Sequence, residues 1–539
     1  SITLVDNIYD EVGRLFVDRR NGVPELRTNY SYNLRSWLKG VSSPLFSQTL
    51  NYQETINDIS PCYNGNISSL FWRTAQNNAS NALISSPEKG YGFTYDGLSR
   101  LKDAVYGEGT SLNQNRNRFN EQITGYDKMG NILGLLRYGQ TGTDSYGLID
   151  NLNLTYNGNQ LESVYDNATN SVFGNGMEFK DNAHETVEYA YDKNGNLTKD
   201  LNKNITGIQY NILNLPSHIT FADGNSIVYE YAADGSKVRT THTINDNVTS
   251  TVYCGNAVYE NGSLTMLLNE SGYYSFQDNK FHFYIKDHQG NVRVVADETG
   301  KVDEVNDYYP FGGLMSNACN NVQLYKYNDK ELDRKGGLDW YDYGARHYDA
   351  MIGRWCAVDS LAEKYNSFNV YNYCGNNPIR YVDPNGNGWD EAWPFLKNSL
   401  SVSFSIGSQA NADIKVMGVN VGLGVNGGSM KIGDGPLTVE KGLSIGVGIF
   451  NAENYTRAYE LDSWTSVRES GYTVGIPLIT EDHKKTETFD STGRYFEKTG
   501  ESNTIDTDYT IGVSASVILG ADISIDLSEI WNFFEALFK

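Results

Sequence analysis

Cysteine, histidine and carboxylate side chains carry most covalent and metal chemistry, so their spacing is read first. The five cysteines, Cys62, Cys254, Cys319, Cys356 and Cys374, are scattered, odd in number and without a C-x-x-C pair. That argues against a disulfide scaffold or a zinc ribbon. His282 and His288 lie close together, but no third and fourth ligand follow at zinc spacing. They read as a sheet histidine and a turn histidine, and neither a metal nor a cofactor is expected. The string Asp383-Pro384-Asn385-Gly386 has the residues of a β-turn.

The elements that must position any site come from composition and repeats. The chain has 539 residues, with 39 Tyr, 53 Gly and a formal net charge of −23. Tyrosine favours strands and glycine favours tight turns, so the mix points to a β-rich protein with many turns. An acidic surface repels phosphate backbones, which argues against nucleic acid as a partner. Apolar runs stay below 18 residues, so no membrane helix is expected. The sequence starts inside a repeat without a signal peptide, and is expected to be a fragment or processed product.

The repeat is clearest at Tyr191-Asp192-Lys193-Asn194-Gly195-Asn196-Leu197. Further copies start at Tyr9 and Tyr126, a looser one at Tyr231, and degenerate ones at Tyr95 and Tyr156. Tyrosine ends a strand. Aspartate opens a turn by accepting backbone N–H groups, glycine takes the left-handed position, and Leu or Ile restarts a strand. A hairpin alone cannot bury its face, but neighbours side by side can. The unit predicts antiparallel β-structure from about Tyr9 to Asp333, with turns at Asp127–Gly130 and Asp192–Gly195.

This series resembles the YD repeat of Rhs and teneurin-type proteins. A second set of motifs follows: Tyr284-Ile285-Lys286-Asp287-His288-Gln289-Gly290-Asn291, Tyr308-Tyr309-Pro310-Phe311-Gly312, Tyr343-Gly344-Ala345-Arg346-His347-Tyr348-Asp349, Ile352-Gly353-Arg354-Trp355 and Asn376-Asn377-Pro378 through Asp383-Pro384-Asn385-Gly386. In order and spacing they resemble the Rhs repeat-associated core domain, most of all its Bacteroidetes versions. The resemblance implies an all-β fold. A spirally wound hairpin shell over 1–280 is closed by a core-domain plug over 281–386. A variable C-terminal domain over 387–539 follows.

It also implies chemistry. Members of the family cut their own chain just after D-P-x-G, using two aspartates and an arginine, which by motif fall on Asp359, Asp383 and Arg346. Close carboxylates share a proton readily, so one can activate water while the other protonates the leaving amide. The departures from the family pattern are Ser360 after Asp359, Ala350 after Asp349, and Asn387 after Gly386.

Beyond Gly386 the character changes. Apolar residues alternate at Leu400–Ile406, Val419–Val425, Leu443–Ile449 and Ile511–Val517, which predicts strands with one buried face. Asp526 and Glu529 have capping-box spacing, and Leu527, Ile530, Trp531, Phe534 and Phe538 share one face of an expected terminal helix. This segment holds a single histidine, His483, and no cysteine, and has 11 Lys/Arg against 21 Asp/Glu. Zinc deaminase, metal nuclease and cysteine protease chemistries need more than that. A soluble β-sheet packed on the helix is the favoured reading, and a membrane-active strand module is the other.

Two functions are carried forward. One is an exported scaffold, secreted or at the cell surface, that encloses its own C-terminal domain as cargo and releases it by self-cleavage. Secretion machinery and an immunity protein are its expected partners, with membrane contact only through the C-terminal domain. The other is a non-enzymatic adhesion or contact protein whose shell is a rigid spacer.

Overall fold

In the computed structural model two compact units divide the chain, Ser1–Lys397 and Asn398–Lys539. The structure describes residues 2–56, 59–78, 80, 82–315, 322–363 and 368–391, and beyond those only the strands given below. The described residues are nearly all β. In the first unit two 13-stranded antiparallel sheets follow one another. The first runs from strand Asp6–Tyr9 to strand Gln160–Asp166, with Leu83–Ser85 added beside Ser69–Asn77. The second runs from Tyr189–Tyr191 to Val302–Val305. Along each sheet the strands pair in chain order, as a series of hairpins requires. The expected division at 280/281 falls inside strand Lys280–Lys286, because the sheet continues to Val305.

The expected turns form for the expected reason. Asp127 Oδ1 accepts the N–H groups of Met129 and Asn131, both at 2.8 Å, and Gly130 has φ +86°. Asp10, Asp96 and Asp192 clasp their own turns in the same way. Asn33 and Asn211 do so too, which extends the unit to Tyr-Asn copies that an aspartate pattern passes over. In the looser copy Ala232 stands where the clasping residue would be, and Asp234 holds only Ser236 N–H. At each of Tyr9, Tyr95, Tyr126, Tyr191, Tyr210 and Tyr231 the register shifts by a bulge. The bulge lets the strand turn without exposing its buried face.

The tyrosine has a second task. Its hydroxyl reaches back one repeat and donates to the carbonyl of the residue that restarted the earlier strand. Tyr126 donates to Leu101 at 2.6 Å, Tyr95 to Ile67 at 2.8 Å, Tyr156 to Ile132 at 2.7 Å and Tyr210 to Leu197 at 2.7 Å. Burial pushes the phenols of Tyr95 and Tyr210 well above their ordinary value, so these groups remain donors.

The described residues between 308 and 382, here termed the plug, pack on the two large sheets. The plug contains a four-stranded sheet of Glu331–Asp333, Trp340–Asp342, His347–Asp349 and Arg354–Trp355, with a 3₁₀ turn at Lys335–Gly337 between the first two strands. One continuous hydrophobic core unites it with both large sheets, and Phe311, Tyr341, Tyr348 and Tyr373 are fully buried within it. Buried charges add directional ties: Lys89 to Asp307 at 2.6 Å, Lys237 to Asp342 at 2.6 Å, Lys203 to Asp349 at 3.1 Å and His242 to Asp333 at 2.7 Å. Plug side chains also dock on the YD turns, where Asn376 donates to Gly130 O, Asn377 to Ser99 O and Tyr371 to Gly195 O, each at 2.8 Å.

His288 lies in a buried turn with Nε2–H on Ile379 O at 3.0 Å. His282 stacks on Tyr273 and bridges Asp278 and Asp303. The thiols of Cys62, Cys254, Cys356 and Cys374 are free. In the second unit a six-stranded antiparallel meander comprises Val421–Lys431, Thr438–Val447, Phe450–Asp462, Thr465–Ile476, Ile479–Asp490 and Tyr495–Asp506. Ala412–Ile414 pairs with Ala515–Val517. The stretch from Leu400 to Ile406 and the terminal helix with Asp526 and Glu529 lie outside the described residues.

Two outcomes follow. Tyr126→Phe leaves a backbone carbonyl without its donor and should cost about 1–3 kcal/mol, read as a lower denaturant midpoint. Tyr9→Phe, whose exposed hydroxyl meets only Asn7 at 3.5 Å, should leave the midpoint unchanged. The second concerns Asp200, which shares Lys203 with Asp349, so two buried carboxylates face one ammonium. Burial pushes Asp200 from 3.8 to about 7. The neutral acid is therefore the form the fold prefers; its stabilisation is present below about pH 4 and is lost as pH rises through about 7. Asp200→Asn should flatten that limb of a stability–pH curve.

Candidate functional site

Three short elements of the plug bring the candidate residues together. Arg346 ends the turn between strands Trp340–Asp342 and His347–Asp349, with Gly344 at φ +92° and Tyr343 N–H on Arg346 O at 3.1 Å. Asp359 follows strand Arg354–Trp355. Asp383 follows strand Tyr381–Val382, which pairs with Asp390–Glu391. Residues 383–389 are thus the loop of a hairpin, and Asn387, close to which the cut is expected, lies in that loop.

The three side chains expected to act together meet. One guanidinium nitrogen of Arg346 donates to Asp359 Oδ2 at 2.8 Å and to Asp383 Oδ2 at 3.1 Å. Arg346 and Asp383 are buried, at 3% and 1% exposure. The Arg346 guanidinium lies 4.1 Å from the ring centre of Trp355, a cation–π contact that fixes its plane. Its Nε–H donates to Gly386 O at 2.5 Å. The cation therefore touches both carboxylates and the Gly386 carbonyl.

Asp383 also organises its own loop. Its Oδ1 accepts Gly386 N–H at 2.7 Å, and its Oδ2 accepts Gly388 N–H at 3.2 Å. Gly386 has φ +79°, and a Cβ there would sit 3.0 Å from Arg346 N and 3.2 Å from Tyr343 Cβ, so the D-P-x-G glycine is sterically required. Burial pushes the Asp383 carboxyl up from the usual carboxylate range, against the pull of Arg346 and the loop N–H groups. Burial likewise pulls the Arg346 guanidinium down, against the two aspartates. Arginine still stays protonated at any physiological pH. Burial holds the thiol of nearby Cys374 well above its ordinary value, which leaves it a poor nucleophile.

A small cleft of about 10 Å³, room for about one water, is lined by Arg346, Asp359, Phe368 and Trp389 among others. It gives water a route to the Asp359 side. Ser360 Oγ donates to Asn387 Oδ1 at 2.8 Å. Two of the departures noted in the sequence therefore touch one another. Trp355, Trp389 and Ser360 belong to the site although the sequence reading gave them no role there. Trp355 stood inside a quoted motif, but nothing in the string says that its ring lies over Arg346. Among the described residues there is no group of three or more metal-ligating side chains.

Similarity to known proteins is partial. No family model matches the sequence. Salivary gland surface protein 1 of Aedes aegypti is 31% identical over 204 residues, 37% of this chain and 5% of that protein. Toxin subunit YenC2 of Yersinia entomophaga is 35% identical over 96 residues, 17% of this chain and 10% of that protein. The chain thus spans a tenth or less of the length of these two relatives. A Tc holotoxin pore structure from Photorhabdus luminescens aligns over 71% of this chain and 19% of its own, at 17% identity and a TM-score of 0.45. The chain is thus similar, over part of its length, to toxin subunits YenC1 and YenC2, and its own fold is a series of antiparallel hairpin sheets.

Arg346→Ala leaves Asp359 and Asp383 without the cation they share. The local cost should be about 3–5 kcal/mol, the usual penalty for breaking a buried ion pair from one side. Hydrogen exchange should accelerate at 383–388, while protection in strands such as Ile132–Gln140 is kept.

Proposed function

We propose that this protein is a toxin-type scaffold that encloses its C-terminal residues and cuts the chain between Gly386 and Asn387. The observation that carries the reading is the Arg346 guanidinium, which holds Asp359, Asp383 and Gly386 O at once. Asp359, beside the cleft, takes the proton of a water whose oxygen attacks the Gly386 carbonyl carbon. Arg346 stabilises the oxyanion that forms on Gly386 O. Asp383, whose burial favours the protonated acid, delivers a proton to Asn387 N as the C–N bond breaks. The substrate is the enzyme's own chain, so effective concentration is high and little affinity is needed. On this reading the protein is exported, its own C-terminal domain is the cargo, and secretion machinery and an immunity protein are its partners.

A second reading has its own observation. Asp383 already accepts three backbone N–H groups, from Asn385, Gly386 and Gly388, as a turn-closing aspartate does. The site is then a clasp on the chain, and the protein a non-catalytic shell used for adhesion or contact.

Intact mass after incubation from mildly acidic to neutral pH separates the two. With an active site, wild type yields a new terminus at Asn387. Asp383→Asn and Asp359→Asn abolish the cut, because an amide cannot exchange the proton, and Arg346→Ala slows it by about 10²-fold or more. A wild-type chain that stays whole under every condition leaves the clasp.

A further inference from the structure

Asn387 and Gly388 form an Asn-Gly pair, the dipeptide in which a side-chain amide is least hindered from reacting with the next backbone nitrogen. Here both reacting groups are held by other side chains. The nucleophile, Gly388 N–H, donates to Asp383 Oδ2 at 3.2 Å. The electrophile, the Asn387 side-chain carbonyl, accepts Ser360 Oγ–H at 2.8 Å. Gly388 has φ +134°, a conformation that favours glycine, so no side chain shields the nitrogen. Asn387 itself is only partly buried, within reach of water.

The geometry points to a self-modification site at Asn387, in which Asp383 and Ser360 promote closure of a cyclic imide that water then opens. Gly388 N bonds to Asn387 Cγ while its proton passes to Asp383. Ser360 O–H stabilises the oxyanion on Asn387 Oδ1. The tetrahedral centre collapses, the C–N bond to the side-chain nitrogen breaks, and that nitrogen leaves as ammonia with the proton returned by Asp383. Water adds to either imide carbonyl, giving aspartate or isoaspartate, and no oxidant or reductant enters. The chain stays whole; Asp383 acts here as the carboxylate, whereas in the proposed cut it acts as the acid, so the two reactions draw on different protonation states of one residue.

The neighbouring Asn-Gly pair is a built-in comparison. Gly386 N–H also meets Asp383, at 2.7 Å. But Asn385 O is tied to Ala345 N–H at 3.1 Å, and Gly386 is pressed against Arg346 N and Tyr343 Cβ, which leaves no room for a ring. Asn157-Gly158, at a strand turn, is a second comparison, where an added Cβ on Gly158 would meet nothing within 4 Å.

The test is peptide mapping by mass spectrometry of the full chain aged at neutral pH, with isoaspartate detected by enzymatic methylation. Expected is a one-dalton gain at Asn387, at least about 10²-fold faster than at Asn157 in the same molecules, the low end of what a positioned acid or base contributes. Asn385 should stay unchanged. Ser360→Ala, at an exposed position, should bring Asn387 down towards the Asn157 rate. Asn387→Gln should end the reaction, since the larger ring closes slowly. Conversion of Asn387 no faster than Asn157, or at a rate indifferent to Ser360→Ala, overturns the proposal. A mapped break at Gly386–Asn387 without mass gain at Asn387 overturns it as well, and leaves the cleavage reading standing.

Discussion

A backbone carbonyl at the start of a buried strand has lost water and needs a donor, and in this protein a tyrosine one repeat further on supplies it. The bond from Tyr126 to Leu101 O, repeated at Tyr95, Tyr156 and Tyr210, fixes the distance between one turn and the next. A net hydrogen bond contributes about 1 kcal/mol, but a buried carbonyl left unpaired costs more, so the tyrosine is hard to replace. Because the same bond recurs, successive turns lie in register. That row of turns is the surface on which Asn376, Asn377 and Tyr371 dock the plug.

Charge then orients what hydrophobic burial only gathers. Apolar contacts between the sheets and residues 308–382 are non-directional. Lys203, Lys237 and His242 from the sheets each meet a plug carboxylate, Lys89 meets Asp307 at the plug's start, and Arg137, buried with Glu121 and Asp150, donates to Met351 O at 3.1 Å. Buried ion pairs return little net stability, because desolvation offsets attraction. They do penalise every other placement of the plug, since a slipped plug strands several charges without partners. The precision of Arg346 relative to Asp359 and Asp383 is set by this frame.

Within the frame, Asp383 serves structure and chemistry with the same atoms. Its two oxygens hold the loop N–H groups and the arginine, so the loop conformation and the state of the carboxyl are coupled. Ser360 and Asn387, both unusual at their motif positions, close a contact across the loop. Changes at one of these positions therefore reach the bond at Gly386 through a single hydrogen bond.

The sequence alone determined the hairpin series, because turn chemistry is local: Asp127, Gly130 and the residues they clasp lie within a few positions of one another. It also brought Arg346, Asp359 and Asp383 forward as one group, through motif resemblance rather than through spacing. Tertiary structure decided what distance along the chain conceals. The back-reaching tyrosine hydroxyls span 24 to 28 residues at Tyr95, Tyr126 and Tyr156, and the contact of Tyr371 with Gly195 spans 176. It also carried the second sheet past the expected boundary at 280, since strand pairing follows hydrogen-bond partners and not motif edges. Whether Arg346 reaches Gly386 O depends on three turns and the Trp355 face meeting at one point, and no local rule of sequence encodes such a meeting.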